Sequence, residues 1–315
     1  MSNLETEPQE LVCQERPTGA QILEPRDVPL GGPRAMGVRR TLPQRGRSLI
    51  GAWCFVDHYG PEEHVMDVPP HPHTGLQTVS WLFEGQIDHR DSVGSHQLID
   101  PGELNLMTAG RGISHSEVST PESRVLHGVQ LWLALPEGAR DQEPAFEHHT
   151  TEPITFGAAT VRVFVGRLLG VESRATVFSD LVGAQLDIPA ATTIDVPVAA
   201  THEHGILVDA GAVRVAGTDV PVAHLAYLAP GADSIRIEST TDARLLLLGG
   251  APFDEQIVMW WNFIGRSHEE IVASRQDWQR DGAAGMPGRF GVVDGYAGRP
   301  LPAPELPPLR LRPRA

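Results

Sequence analysis

No lysine occurs among the 315 residues; all 25 basic side chains are arginine. That absence removes a phosphate-loop lysine, a Schiff-base lysine for pyridoxal chemistry and a Ser-x-x-Lys nucleophile together. Cysteine is nearly missing as well. Cys13 and Cys54 are too few for a disulfide framework or a thiolate zinc site, and they read as two reduced structural thiols. No apolar run approaches the roughly eighteen residues of a membrane span, so none is expected. Acidic side chains outnumber basic ones to give a net charge of −15, which repels phosphate backbones and argues against direct nucleic-acid contact. Neither a G-x-S-x-G elbow nor a dinucleotide fingerprint is present. The N-terminus MSNLETEPQELVCQERP is polar and acidic, unlike a secretory or transit peptide, so a cytoplasmic protein is expected. Chemistry is left to histidine and carboxylate.

Glycine (32) and proline (27) are plentiful and fall between short runs of alternating or β-branched apolar residues. Examples are TVSWLF (78–83), HGVQLWLAL (127–135), TVRVFVG (160–166), SIRIES (234–239) and ARLLLLGG (243–250). Short strands at close spacing with turn signals between them predict an all-β sandwich or barrel, and no βαβ alternation is visible. The polar stretch 135–153 is the best candidate for an interdomain linker, because the strand pattern restarts beyond it. Two β units of similar size follow, weakly echoing one another through His71-x-His73 and His202-x-His204. One short helix is predicted near the C-terminus, where Ser267 and Glu270 form a capping box ahead of Ile271, Val272, Arg275 and Trp278 at helical spacing. The proline-rich end is expected to be extended, draped over the body or partly disordered.

In a strand, residues i and i+2 share a face, so His71 and His73 can offer two imidazoles to one point. Alone this is weak in a chain with 14 histidines. LMTAGRGISHSE (106–117) adds His115 and Glu117, again an i, i+2 pair. Three imidazoles and a carboxylate arriving from two strands suit a borderline divalent metal such as Fe(II), with two of six positions open, better than zinc. Ser114 and His115 point to opposite faces, which disfavours a serine–histidine nucleophile.

H-x-H before a strand and a later histidine on a partner strand resemble the cupin β-barrel superfamily. PPHPHTGLQTVSWLFEGQIDHRDS and LMTAGRGISHSE, with FVDHYGP (55–61), VPLGGPRAMGVRRTLP (28–43) and MWWNFIGRSHEEI (259–271), closely resemble the pirin family within it, from about residue 28 to about residue 308. The general cupin pattern places a glutamate ligand where this chain has Gln77; in pirins the carboxylate comes two residues after the third histidine, the place of Glu117. The resemblance thus implies a metal held by His71, His73, His115 and Glu117. It also implies two cupin (jelly-roll-type) β-barrels in tandem with a short C-terminal helix. The expected division is an N-terminal arm (1–35), a metal-binding barrel (36–150), a second barrel lacking a complete metal site (151–285) and a proline-rich tail (286–315).

The activity implied by the resemblance is that of a quercetin 2,3-dioxygenase-type oxidoreductase. It would act on a flavonol or another small phenol or enol, with Glu117 as base and the substrate oxyanion and O2 meeting at the metal. Fe(II) is expected, with nickel, manganese, copper or zinc as alternatives. The other function the resemblance implies is an iron-containing, redox-sensitive regulatory protein that binds a transcription factor or a metabolic enzyme. A monomer is expected, since one chain already supplies two barrels. His202 and His204 read as solvated loop or ordinary strand residues, and His224 has no neighbouring carboxylate. His89, His96 and His127 read as hydrogen-bonded structural groups, with His127 on a strand that could line the cavity. Trp81, Phe83 and Trp132 read as core aromatics, and His268 as a surface residue.

Overall fold

A computed structural model describes residues 19–29, 36–63 and 66–313. Cys13, the acidic N-terminal stretch and part of the VPLGGPRAMG motif lie outside the described residues. Antiparallel strands dominate, because β-branched and aliphatic runs are cut by glycine and proline every few residues. In the first unit, a seven-stranded sheet runs in the order Ala145–Thr150, Glu103–Thr108, Leu76–Glu84, Leu126–Ala134, Trp53–Glu62, Gly37–Leu42, Arg26–Pro29. Its companion is a four-stranded sheet in the order Asp67–His73, Ile113–Ser119, Ile87–Asp91, His96–Ile99. The second unit repeats the plan. A large sheet is built around Glu203–Ala210, Ala243–Gly250, Leu181–Ile188 and Ala159–Leu168, and a four-stranded sheet runs through Thr192–Pro197, Ser234–Ser239, Val213–Val215 and Thr218–Val220. The tandem double-barrel, all-β expectation holds.

The period of two along each strand decides where side chains go. Val79 and Trp81 point one way from Leu76–Glu84, and Val129, Leu131 and Leu133 do so from Leu126–Ala134. They pack with Trp53 and Val56 against Phe164, Leu181, Leu207, Leu246 and Leu248 of the second unit. The large sheets therefore meet face to face across an apolar layer. Trp53 and Trp81 each bury on the order of 200 Å², about 5 kcal/mol of gross hydrophobic stabilisation apiece. Their indole N–H groups are also satisfied: Trp81 donates to Gln185 Oε1 at 2.8 Å, and Trp53 to the carbonyls of Val182 and Gly249 at 3.2 Å. Valine, leucine and isoleucine fill the second barrel's interior.

Several connections differ from the sequence reading. The polar stretch 135–153 is not a free linker, because Ala145–Thr150 pairs with Glu103–Thr108 at the edge of the first unit's large sheet. Edge strands are half exposed, so their polar composition imitates a linker. In the N-terminal arm, Gln21–Leu23 joins the second unit's sheet and Arg26–Pro29 the first unit's. The predicted helix spans His268–Arg280, capped by Ser267, whose side chain accepts from the Glu270 N–H at 3.2 Å. Glu270 reaches back to the Arg266 N–H at 3.0 Å, one residue before the partner a capping box prescribes. His268 is partly buried, its Nδ1 accepting from the Leu311 N–H at 3.2 Å.

One buried polar knot interrupts the apolar layer. His58 and His127 of the first unit donate Nε2–H groups to the same oxygen of Asp209 in the second, at 2.7 and 2.6 Å. Arg244 lies 3.5 Å from the other carboxylate oxygen. Burial alone would raise the Asp209 pKa, but the hydrogen bonds from His127 and His58 outweigh it and hold the carboxyl well below its usual range. Asp209→Asn is expected to cost about 2–4 kcal/mol at pH 7, read by denaturant unfolding, since a charged acceptor shared by two buried donors is lost. A depressed folded-state pKa gives stability that is complete above the unfolded value and fades as pH falls. The gap between wild type and variant should therefore narrow below about pH 4.

Gly75, two residues after His73, has φ +68 and abuts the hairpin formed by Val258–Trp260 and Phe263–Gly265; a Cβ there would overlap the Ile264 carbonyl oxygen. Gly75→Ala should destabilise by about 2–4 kcal/mol through strain and overlap together, measured by the same unfolding titration.

Candidate functional site

The remaining face of the first unit's strands looks into its barrel, and there the residues turn polar and aromatic. His71 and His73 leave Asp67–His73 on one face. Ile113–Ser119 pairs with that strand so that His115 lies opposite His71. The three histidines each offer a ring nitrogen within 4.8 Å of the others, and all are buried. His73 Nε2 and His115 Nε2 are 3.1 Å apart. Burial pushes His71 down to about 4 and holds His73 and His115 well below the usual histidine range, with neighbouring histidines adding to the effect. All three are therefore neutral at pH 7 and keep a lone pair. His71 is oriented by its Nδ1, which donates to the Pro69 carbonyl at 2.9 Å and leaves Nε2 free.

Glu117 lines the same cavity. Its Oε1 accepts from Ser80 Oγ at 2.8 Å, and Ser80 lies 3.0 Å from Gln130 Oε1. Burial raises the Glu117 pKa, opposed by His89 and the Ser80 hydrogen bond. The carboxylate clusters with His115 and His89, not with His71 and His73. His89 is hydrogen bonded to Asp91 at 3.2 Å, as expected of a structural group, but strand register also sets it opposite Glu117. Its Nδ1 lies 3.5 Å from His115 Nδ1. No sequence signal reveals that register.

These donors suit a metal ion. Cis ligands on an octahedral ion with bonds of about 2.1 Å stand about 3.0 Å apart, close to the His73–His115 separation. The His58–His127–Asp209 group also gathers ligand-type atoms, but its contacts of 2.6 and 2.7 Å are those of a shared proton.

The cavity has a volume of about 340 Å³. Phe55 and Trp132 stack in its wall with centroids 4.0 Å apart and planes 11° from parallel. Trp132 thus lines the site, whereas Trp81 stacks on Phe164 between the barrels and Phe83 packs against His127. Arg40 lies over Phe55 at 4.2 Å and forms a bidentate pair with Asp57 at 2.6 and 2.7 Å. Tyr59, Gln130, Trp261, Asn262 and Leu301 also line the cavity. Gln77 is not in it. It faces the other way, donating to Thr108 Oγ1 at 2.8 Å and the Thr176 carbonyl at 2.9 Å. His127 is committed to Asp209. His202 and His204 are buried, not solvated; His202 lies 3.2 Å from Asp180, and His204 is a residue of the strand Glu203–Ala210, in line with the ordinary-strand expectation, packed against Gly249.

Comparison with known proteins agrees with this architecture. Residues 35–133 match the family model described as Pirin, and residues 183–284 match the Pirin C-terminal cupin domain. A Pseudomonas aeruginosa protein provisionally named quercetin 2,3-dioxygenase is 42% identical over 292 residues, covering 91% of this chain and 90% of its own length. A pirin-like protein of Caulobacter vibrioides is 34% identical, covering 85% of this chain and 94% of its own. The crystal structure of a quercetin 2,3-dioxygenase from Acinetobacter baumannii superposes with a TM-score of 0.87 at 37% identity, covering 94% of this chain and 98% of that one. Two cupin-type barrels meeting across an apolar layer, with a histidine cluster inside the first, therefore belong to a member of the pirin family.

Proposed function

We propose that the first barrel is the active site of a metal-dependent dioxygenase acting on a flavonol such as quercetin or another small planar phenol or enol. His71, His73, His115 and Glu117 are the residues that would hold the metal, Fe(II) first, with nickel, manganese, copper or zinc as alternatives. When bound, the metal would supply a Lewis acid that acidifies an enol or phenol and, in the case of a redox-active ion such as Fe(II), a redox partner for dioxygen. The observation that carries this reading is the convergence of three neutral, buried imidazoles, two of them 3.1 Å apart, inside an aromatic-walled cavity beside a carboxylate. The names of the P. aeruginosa and A. baumannii relatives support the choice of substrate class.

The chain's own side chains have separable tasks. The Phe55–Trp132 stack offers a flat apolar wall to a planar ring. Glu117, the carboxylate that lines the cavity, would take a hydroxyl proton, a role that ligation to the metal weakens by lowering its basicity, and the Ser80 hydroxyl fixes one of its oxygens. Arg40 carries its charge at this wall but is neutralised by Asp57, so it favours a neutral or singly ionised phenol over a polyanion. Met66, Val68 and Leu301 contribute apolar lining that excludes water.

Protein purified without added metal should contain about one transition metal ion per chain by elemental analysis, and should consume oxygen with quercetin. His115→Ala should lose most of the metal and at least about 100-fold in turnover. Glu117→Ala should lose turnover to a similar degree. Oxygen uptake that persists in both variants, or a preparation free of metal that still turns over, would sink the proposal.

A further inference from the structure

Three of the cavity's lining residues come from beyond the second barrel. After Ala243–Gly250 the chain returns to the first unit. The hairpin of Val258–Trp260 and Phe263–Gly265 docks beside the histidine strand: the Ile264 N–H donates to the Thr74 carbonyl at 3.0 Å, and Phe263 forms a parallel bridge to Thr74. Its turn carries Trp261 and Asn262 into the cavity lining, with Trp261 at φ 52, a left-handed conformation that a bulky residue adopts only when its surroundings impose it. Past the C-terminal helix, the tail crosses Asp67–His73. Tyr296 donates its hydroxyl to Asp67 at 2.7 Å. Leu301 is fixed at both ends: its N–H donates to the Pro70 carbonyl, next to His71, at 2.8 Å, and its own carbonyl accepts from the Trp278 indole N–H at 2.8 Å. Trp278 is fully buried in the helix that carries it.

We propose that Leu301 is a specificity-determining residue, setting how bulky a phenolic ligand the first barrel admits, and that Trp278 is the positioning residue that holds it there. The proposal rests on reading the cavity as the substrate site. Its volume of about 340 Å³ lies at the low end of the roughly 300–1,000 Å³ of small-molecule sites, so little room is spare. With its N–H bonded to the histidine strand and its carbonyl to the helix, the Leu301 backbone cannot retreat without breaking one of those bonds. Leu301 thus acts as a fixed wall. Among the described tail residues beyond the helix, it alone lines the cavity.

The test compares the metal-loaded parent, Leu301→Ala, Trp278→Phe and the double variant. Isothermal titration calorimetry is run with two flavonols, one with an unsubstituted pendant ring and one with a trihydroxylated pendant ring; metal content and oxygen uptake are followed in parallel. Leu301→Ala should shift the affinity ratio about tenfold toward the bulkier flavonol, the worth of a methylene or so in a pocket, with metal content unchanged. Trp278→Phe keeps a buried ring but removes the donor, so it should shift the ratio a few-fold in the same direction and add nothing once Leu301 is alanine. A ratio that stays within twofold in Leu301→Ala overturns the specificity role. An independent, additive shift from Trp278→Phe overturns the positioning role. A parent that binds both flavonols without consuming oxygen defeats the dioxygenase reading but leaves the affinity ratios to decide this one, whereas a parent that binds neither flavonol overturns both.

Discussion

The contact between the two large sheets is the constraint from which the rest follows. Each sheet gives one whole face to its partner, and because side chains alternate along a strand, that commitment fixes what the opposite face can be. Val79 and Trp81 enter the apolar layer, so Thr78 and Ser80 point into the first barrel. Val129, Leu131 and Leu133 enter it, so Gln130 and Trp132 line the cavity. A one-residue slip of either strand would bury Gln130 or Ser80 against leucine and place an aliphatic side chain where Glu117 now finds a hydroxyl. The apolar interface and the polar cavity are therefore two consequences of one register.

Burial then treats two histidine clusters differently. Around His71, His73 and His115 desolvation dominates, keeping them neutral and their lone pairs available. At the barrel interface a single aspartate sits between two imidazoles, and their N–H groups stabilise its charge so strongly that it stays ionised although it is fully buried. The difference lies in the partners: at the interface a carboxylate oxygen accepts from both imidazoles at 2.7 and 2.6 Å, whereas in the barrel two imidazole nitrogens face one another at 3.1 Å. Similar residue types serve cohesion in one place and ligation in the other, and composition alone does not separate them.

This is also why the sequence disclosed some parts and hid others. Strand positions, the H-x-H pair, the later His115 and Glu117, and the Ser267 cap are local patterns, legible from spacing. Which face of a strand looks inward depends on what packs outside it, so Trp81 and Trp132 were indistinguishable as strand aromatics although one is core and the other lines the cavity. Gln77 resolves by the same parity: it shares a face with Val79 and Trp81, away from the histidines, and its position could not serve the cluster whatever residue stood there. His89 depended on register between strands that no local signal pairs, and Ala145–Thr150 was hidden by the polar composition that an exposed edge requires.

The second barrel presents a different kind of dependence. None of the residues lining the cavity comes from its strands, and its own interior is packed with valine, leucine and isoleucine. It nonetheless sets the route by which Trp261, Asn262 and Leu301 reach the first barrel, since the chain must cross Ala243–Gly250 before it can turn back. Those residues lie some 190 to 230 positions from His71 along the chain, so they close the cavity through contacts of very long sequence separation. The apolar layer thus does more than hold two units together. By fixing where the second barrel ends, it fixes where the returning strap begins, and so completes a cavity to which the second barrel's strands contribute no side chain.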